Sequence, residues 1–120
     1  MPARVVLAGH NLDRDLLREI RALLSDPVAD VKGFAHITGG GIGGNLKRIL
    51  PASVDARVRT GSWTEPAIFD LLRRAGDVPE EDMRSAFNLG VGMVAVIGGR
   101  TALGFPIGEV VEGSGRVRWT

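Results

Sequence analysis

The sequence contains no cysteine and no tyrosine. The first absence removes disulfides, thiolate metal ligands and cysteine nucleophiles together, and it is compatible with a reducing compartment. Aromatic residues make up only 5% of the chain, which argues against a surface that stacks nucleic-acid bases. Two histidines cannot supply a three-histidine metal site, and no metal-ligand spacing stands out. Fifteen Lys and Arg against 14 Asp and Glu leave a net charge of +1. No bulk field therefore draws the chain to nucleic acid or to a membrane surface, and neither is expected as a partner. No apolar run approaches the ~18 residues that a membrane-spanning helix needs. The opening Met1-Pro-Ala-Arg4 lacks the apolar core of a secretory signal, so the expected location is cytoplasmic. No acid is isolated in an apolar surround, so no residue is named as catalytic.

What is present fits one domain. The 120 residues are 44% hydrophobic and 24% charged, which is ordinary for a globular protein and too apolar for a disordered one. A chain of this length can bury roughly two-thirds of its unfolded surface. Seventeen glycines are about twice the average usage of ~7%.

Residues 4–8 read as a short apolar strand or extended lead-in, followed by a break at Gly9-His10-Asn11. Leu12, Leu16, Leu17, Ile20, Leu23 and Leu24 recur at helical period, predicting a helix over 12–24 that Ser25-Asp26-Pro27 stops. Arg14, Arg18 and Arg21 fall off that stripe, on a solvated face. Residues 31–37 read as a strand, 38–44 as a glycine-rich turn and 45–50 as one or two helical turns closed by Pro51. From 54 to 59, Val54, Ala56 and Val58 alternate with Asp55, Arg57 and Arg59, a strand with one wet face. A helix over 65–75, with Gly76 just past its end, would bury Ile68, Phe69, Leu71 and Leu72. Asp77-Val-Pro-Glu80 reads as a capping entry into a short helix through Phe87. Residues 92–97, 107–111 and 116–119 read as strands, the last two joined by a turn at 112–115. The expected fold class is α/β: a mixed β-sheet layered with helices, in a single domain spanning 1–120.

The most informative stretch is His36-Ile-Thr-Gly-Gly-Gly-Ile-Gly-Gly-Asn45, with five glycines in six positions. Glycines let main-chain N–H groups converge on one point, and a following helix adds partial positive charge. Thr38 can add a hydroxyl, and Lys47 and Arg48 follow within a turn. The stretch therefore reads as a phosphate cradle formed by Thr38, Gly39, Gly40, Gly41, Gly43, Gly44 and Asn45. His36 and Asn88 are secondary groove contacts. Gly39, Gly41 and Gly44 also fit the dinucleotide fingerprint, but the acid that should hold a ribose is missing, because Asp55 comes too early. Trp63 and Phe69 read as core anchors. Gly90 and Gly92 read as relief of crowding where helix meets sheet.

Three segments in series resemble one family. They are Asp30-Val-Lys-Gly-Phe-Ala-His-Ile-Thr-Gly-Gly-Gly41, Gly61-Ser-Trp-Thr-Glu-Pro-Ala-Ile-Phe69 and Phe87-Asn-Leu-Gly-Val-Gly-Met93. Their order and spacing look like the C-terminal domain of phosphoribosylformylglycinamidine cyclo-ligase, also called aminoimidazole ribonucleotide synthetase. Ile107-Gly-Glu-Val-Val-Glu-Gly113 resembles the closing strand of that domain. The resemblance implies a ligase of purine biosynthesis, using ATP and magnesium to close an imidazole ring on a phosphorylated small-molecule substrate. It also implies that the family's N-terminal ATP-binding domain is absent from these 120 residues. The chain would then be an excised domain, a truncated homologue or half of a split enzyme, inactive alone and paired with a separate N-terminal domain chain or with itself. Two further departures stand out. Arg59 and Thr60 replace the family's Asp-Arg pair, and only residues 98–106 connect strands that the family joins through a helix. A bare apolar sheet face would follow, favouring self-association. The alternative to an enzyme domain is a non-catalytic interaction or oligomerisation module.

Overall fold

The computed structural model describes residues 4–9 and 14–120. The elements run β1 (Arg4–Gly9), α1 (Arg14–Ser25), β2 (Val31–His36), α2 (Gly41–Lys47), β3 (Val54–Val58), α3 (Ala67–Ala75), α4 (Glu80–Ala86), β4 (Met93–Ile97), β5 (Phe105–Glu112) and β6 (Val117–Trp119). The strands form one six-stranded sheet in the order β2-β4-β1-β5-β3-β6. Every neighbouring pair is antiparallel except β3 and β6, which run parallel. The expected mixed sheet with helices layered on it is therefore what the chain forms.

Strand β4 divides the core. All five of its residues are buried, and its alternating side chains feed two clusters on opposite faces of the sheet. Val94 and Val96 join Ala35, Ile42, Leu46, Ala56, Val58 and Ile107 beneath α2. Met93, Ala95 and Ile97 join Leu23 and Ala29 on the face that α1 covers.

The helices differ from the sequence expectation in instructive ways. The expected helix start at Leu12 lies outside the described residues. Among the described side chains of α1, from Leu17 onward, Leu23 is fully buried and Ile20 half-buried, while Leu17 and Leu24 are exposed, so this part of the apolar stripe buries less than its spacing suggested. Helix α2 begins at Gly41, inside the stretch expected to be a turn. Glycine costs about 1 kcal/mol per interior helical position relative to alanine. Ile42 and Leu46, four residues apart and fully buried on the sheet, offset that cost through packing.

Helix α3 overturns its predicted stripe. None of its residues is buried, and Ile68, Leu71 and Leu72 face water. It is held by Phe69, whose ring lies 5.8 Å from that of Phe87, and by ion pairs from Arg73. Helix α4 starts after Pro79 with no side-chain cap hydrogen bond, so the expected capping entry does not form. Glu80, Glu81 and Asp82 do occupy its first turn, where carboxylates suit the partial positive charge of the helix end.

Asp55 also departs from its expected wet face. It is buried, and its carboxylate accepts hydrogen bonds from the amides of Ser114 at 2.8 Å and Arg116 at 2.9 Å, pinning the turn between β5 and β6 onto β3. Residues 98–104 cross between β4 and β5 without a helix. The amides of Gly98, Gly99 and Arg100 instead donate to the carbonyls of Asp30, Ala29 and Val28. Arg57, Glu109 and Arg118 lie side by side on the outer face of β5, β3 and β6. Arg57 pairs with Glu109 there, so this part of the sheet surface is charged.

Candidate functional site

The site grows from the close approach of α2 and α4. Gly41 is buried at a φ of 69°, and a β-carbon there would collide with the carbonyl oxygen of Arg84 and crowd that of Phe87. Only glycine lets the two helices pack this tightly. A second close approach lies nearby, where a side chain on Gly90 would strike the ring of Pro66. Asn45 then fixes the glycine loop from within. It is 5% exposed, and its Nδ2 donates to the carbonyls of Gly41 (2.8 Å), Thr38 (3.2 Å) and Gly39 (3.3 Å). Its Oδ1 accepts from the Thr38 hydroxyl at 3.3 Å.

The loop's own amides are only partly used. Gly41 N–H donates to Thr38 and Gly44 N–H to Gly40. The amides of Ile42 and Gly43, in the first turn of α2, meet no acceptor among the described residues, as the opening amides of a helix do. Space around Gly39, Gly43 and Gly44 is open: apart from chain neighbours and the helix's own backbone, no atom lies within 4 Å of where a β-carbon would stand. Gly40, Gly43 and Gly44 form one wall of a groove of about 420 Å³; Glu81, Arg84, Ser85 and Trp119 form the rest.

A second cavity of about 490 Å³ adjoins it, sharing Arg84 and Trp119. Thr60, Gly61, Trp63, Glu65, Arg73, Glu80 and Leu89 complete its lining. Both tryptophans of the chain thus border it, tilted against each other with ring centroids 6.2 Å apart. Strand β6 brings Trp119 here, because Thr120 and Thr60 exchange backbone bonds with the end of β3 and of the chain. Trp63 is anchored by its indole N–H, which donates to the Leu89 carbonyl at 3.0 Å.

Charge in this cavity forms a ladder. Arg73 meets Glu65 at 3.1 Å, Glu80 at 2.8 Å and Asp70 at 3.7 Å. Its guanidinium is held above the usual arginine range, first by the hydrogen bond to Glu65 and then by that to Glu80. Arg84 lies over the Trp119 ring, 4.4 Å from its centroid, and donates to the Thr60 hydroxyl at 3.3 Å.

The structure gathers some of the sequence-predicted residues and not others. Gly40, Gly43 and Gly44 line the groove, with Gly39 beside them in open space. Gly41 is packed inside, and Thr38 and Asn45 hold the loop's shape. His36 is exposed at the end of β2 and lines neither cavity. Asn88 lines neither; its Oδ1 accepts the amide of Gly90 at 2.9 Å, stabilising its own turn. Lys47 and Arg48, expected near the loop, stand at the far end of α2, about 9 Å along the helix from Gly41. Sequence reasoning missed Arg84 and Trp119. They are 35 positions apart, and no local spacing announces that α4 and β6 bring them together.

Among the described residues no three His, Asp or Glu side chains cluster as a divalent cation requires, and no helix is long and apolar enough to cross a membrane.

The family described as "AIR synthase related protein, C-terminal domain" matches residues 4–100. Curated relatives named phosphoribosylformylglycinamidine cyclo-ligase are similar over most of the chain. That of Caldanaerobacter subterraneus subsp. tengcongensis is 46% identical over 101 residues, covering 72% of this chain and 30% of the relative. That of Sorangium cellulosum is 52% identical over 80 residues, covering 67% and 23%. That of Geobacillus kaustophilus is 40% identical over 112 residues, covering 83% and 31%. The chain thus spans under a third of the length of these relatives.

Proposed function

Because the chain belongs to the family of AIR-synthase-related C-terminal domains, we propose that it serves an ATP-dependent cyclo-ligase of purine biosynthesis as the domain that holds the substrate's phosphate. In this reading the whole enzyme converts formylglycinamidine ribonucleotide and ATP to aminoimidazole ribonucleotide, ADP and phosphate, in the cytoplasm. The observation that carries it is the groove beside Gly40, Gly43 and Gly44, walled opposite by Arg84. Free amides and a guanidinium are the donors a phosphate monoester accepts.

The chain's own residues bind and orient. Asn45 holds the loop open in one shape, and the packing of α4 on Gly41 fixes the groove's width. Holding the ribonucleotide by its phosphate would position its reacting end for ring closure, where orientation supplies much of the acceleration. ATP with magnesium supplies phosphoryl activation of the leaving oxygen when bound. In this reading the magnesium ligands come from the N-terminal portion of the family's longer chains, as the family resemblance implies. The domain alone is then inactive.

Isothermal titration with formylglycinamidine ribonucleotide tests this reading. Saturable heat that survives excess ribose and is competed by inorganic phosphate supports it. Absence of heat, also with the N-terminal portion of a relative supplied, rejects it.

A second reading has one observation in its favour. The apolar side of α3 is in water, with Leu71 60% and Ile68 53% exposed. An interaction module, pairing with itself or with a separate N-terminal chain, would cover it. Light scattering on the eluting protein separates the two: a monomer that binds phosphate favours the first, a stable oligomer indifferent to phosphate the second.

A further inference from the structure

Two cations border the paired cavities, and they are not equivalent. Arg73 is consumed by Glu65, Glu80 and Asp70. Arg84 is not. Its one hydrogen bond to a side chain among the described residues goes to a neutral partner, the Thr60 hydroxyl. Its nearest carboxylate, Glu80, stands 3.9 Å from Nε, beyond hydrogen-bond range, and Glu80 is already bound by Arg73. The Nε atoms of Arg73 and Arg84 are alike shut off from solvent without a hydrogen-bond partner among the described residues, so the difference between the two cations lies in their carboxylate partners.

Orientation adds to availability. The guanidinium lies over Trp119, and stacking on an indole face leaves the N–H groups at its edge free to donate. Thr60 holds one end of that edge. Arg84 is also the cation that borders both cavities.

We propose that Arg84 is the anion-recognising side chain of this protein, and that the ligand it selects is a phosphate monoester. Its fork grips the phosphate in the glycine-walled groove, and the rest of the ligand extends past Trp119 into the larger cavity. Glu81, on the groove's rim, disfavours any anion that Arg84 does not grip. This rests on the phosphate reading above, which put Arg84 on the groove wall, and goes further by making Arg84 the group on which selectivity for the phosphate depends.

Titration calorimetry with ribose 5-phosphate, inorganic phosphate and ribose as probes, at fixed ionic strength, provides the test. The wild-type chain should bind both phosphates and not ribose. Arg84→Ala should weaken both at least tenfold. Arg84→Lys should lose about threefold to tenfold, because an ammonium keeps the charge but not the fork or the stacking. If the wild type binds and Arg84→Ala binds within twofold of it, the role of Arg84 is overturned while the phosphate reading stands. If the wild type binds neither phosphate, both fall. Should Arg84→Ala not fold, the Nε–H proton resonance of Arg84 in the wild type decides. A shift that saturates with ribose 5-phosphate upholds the assignment, and an unmoved resonance rejects it.

Discussion

The carbonyl of Arg84 occupies the space that a side chain on Gly41 would fill, so the two helices that form the groove are registered against each other by one missing β-carbon. That contact separates folding from binding among the glycines. Gly41→Ala should destabilise the fold by at least about 2 kcal/mol, from overpacking against backbone and from a left-handed φ. Gly43, in open space at the groove wall, should behave oppositely. Gly43→Ala should leave stability unchanged or raise it by up to about 1 kcal/mol, while weakening phosphate binding by crowding the groove. Urea unfolding of both variants with parallel phosphate titration checks the pair.

Asn45 reads as the internal brace of the loop. Three carbonyls accept from its Nδ2, and the side chain is almost wholly buried. Asn45→Ala should cost roughly 1–3 kcal/mol by leaving those acceptors unpaired. It should also loosen the groove, so phosphate affinity falls with it. Asn45→Asp should be no rescue, because a carboxylate cannot donate to carbonyls. Chemical denaturation of the two variants gives the comparison.

Asp55 should make stability depend on acid. The amides of Arg116 and Ser114 hold its carboxyl below the usual aspartate value, with the Arg118 guanidinium 3.1 Å away adding to them. A depressed value in the folded state means the stabilisation is full above the unfolded value, near pH 4, and is lost as pH falls through the folded one. Asp55→Asn should therefore melt several degrees below wild type at neutral pH. The gap should shrink steadily below about pH 4. A gap independent of pH would mean that the charge on Asp55 plays no part. Melting temperatures from pH 2 to 7 read it directly.

Helix α3 should tolerate charge on its outer side. Leu71 is largely exposed, so Leu71→Glu should change the stability of a monomer by no more than about 0.5 kcal/mol. If α3 is instead an interface, the same substitution should dissociate the oligomer seen by light scattering. Thermal melts and light scattering on one preparation distinguish these outcomes.

Much of the fold was legible because strands announce themselves by composition. The apolar run at 93–97 is the buried strand that its lack of polar residues suggested, and 54–58 lies where alternation put it. Helix α2 was misjudged at its start, since glycine's low propensity pointed to a turn while the burial of Ile42 and Leu46 decided for helix. Helix α3 shows the converse: its period promised a buried stripe, but nothing among the described residues covers Ile68, Leu71 and Leu72. At the site, the glycine segment stood out by composition alone. Arg84 and Trp119 did not, because a cation stacked on an indole across two elements leaves no mark in either local sequence. Asn45, expected as a ligand contact, turns its polar atoms inward to the loop's own carbonyls.

The most direct measurement follows the backbone amide resonances of residues 39–44 during titration with ribose 5-phosphate. The account predicts saturable shifts concentrated at Ile42 and Gly43, whose amides have no acceptor in the protein's described residues, with Gly41 and Gly44 moving less. Shifts that are absent, or that gather elsewhere while these amides stay still, would contradict it.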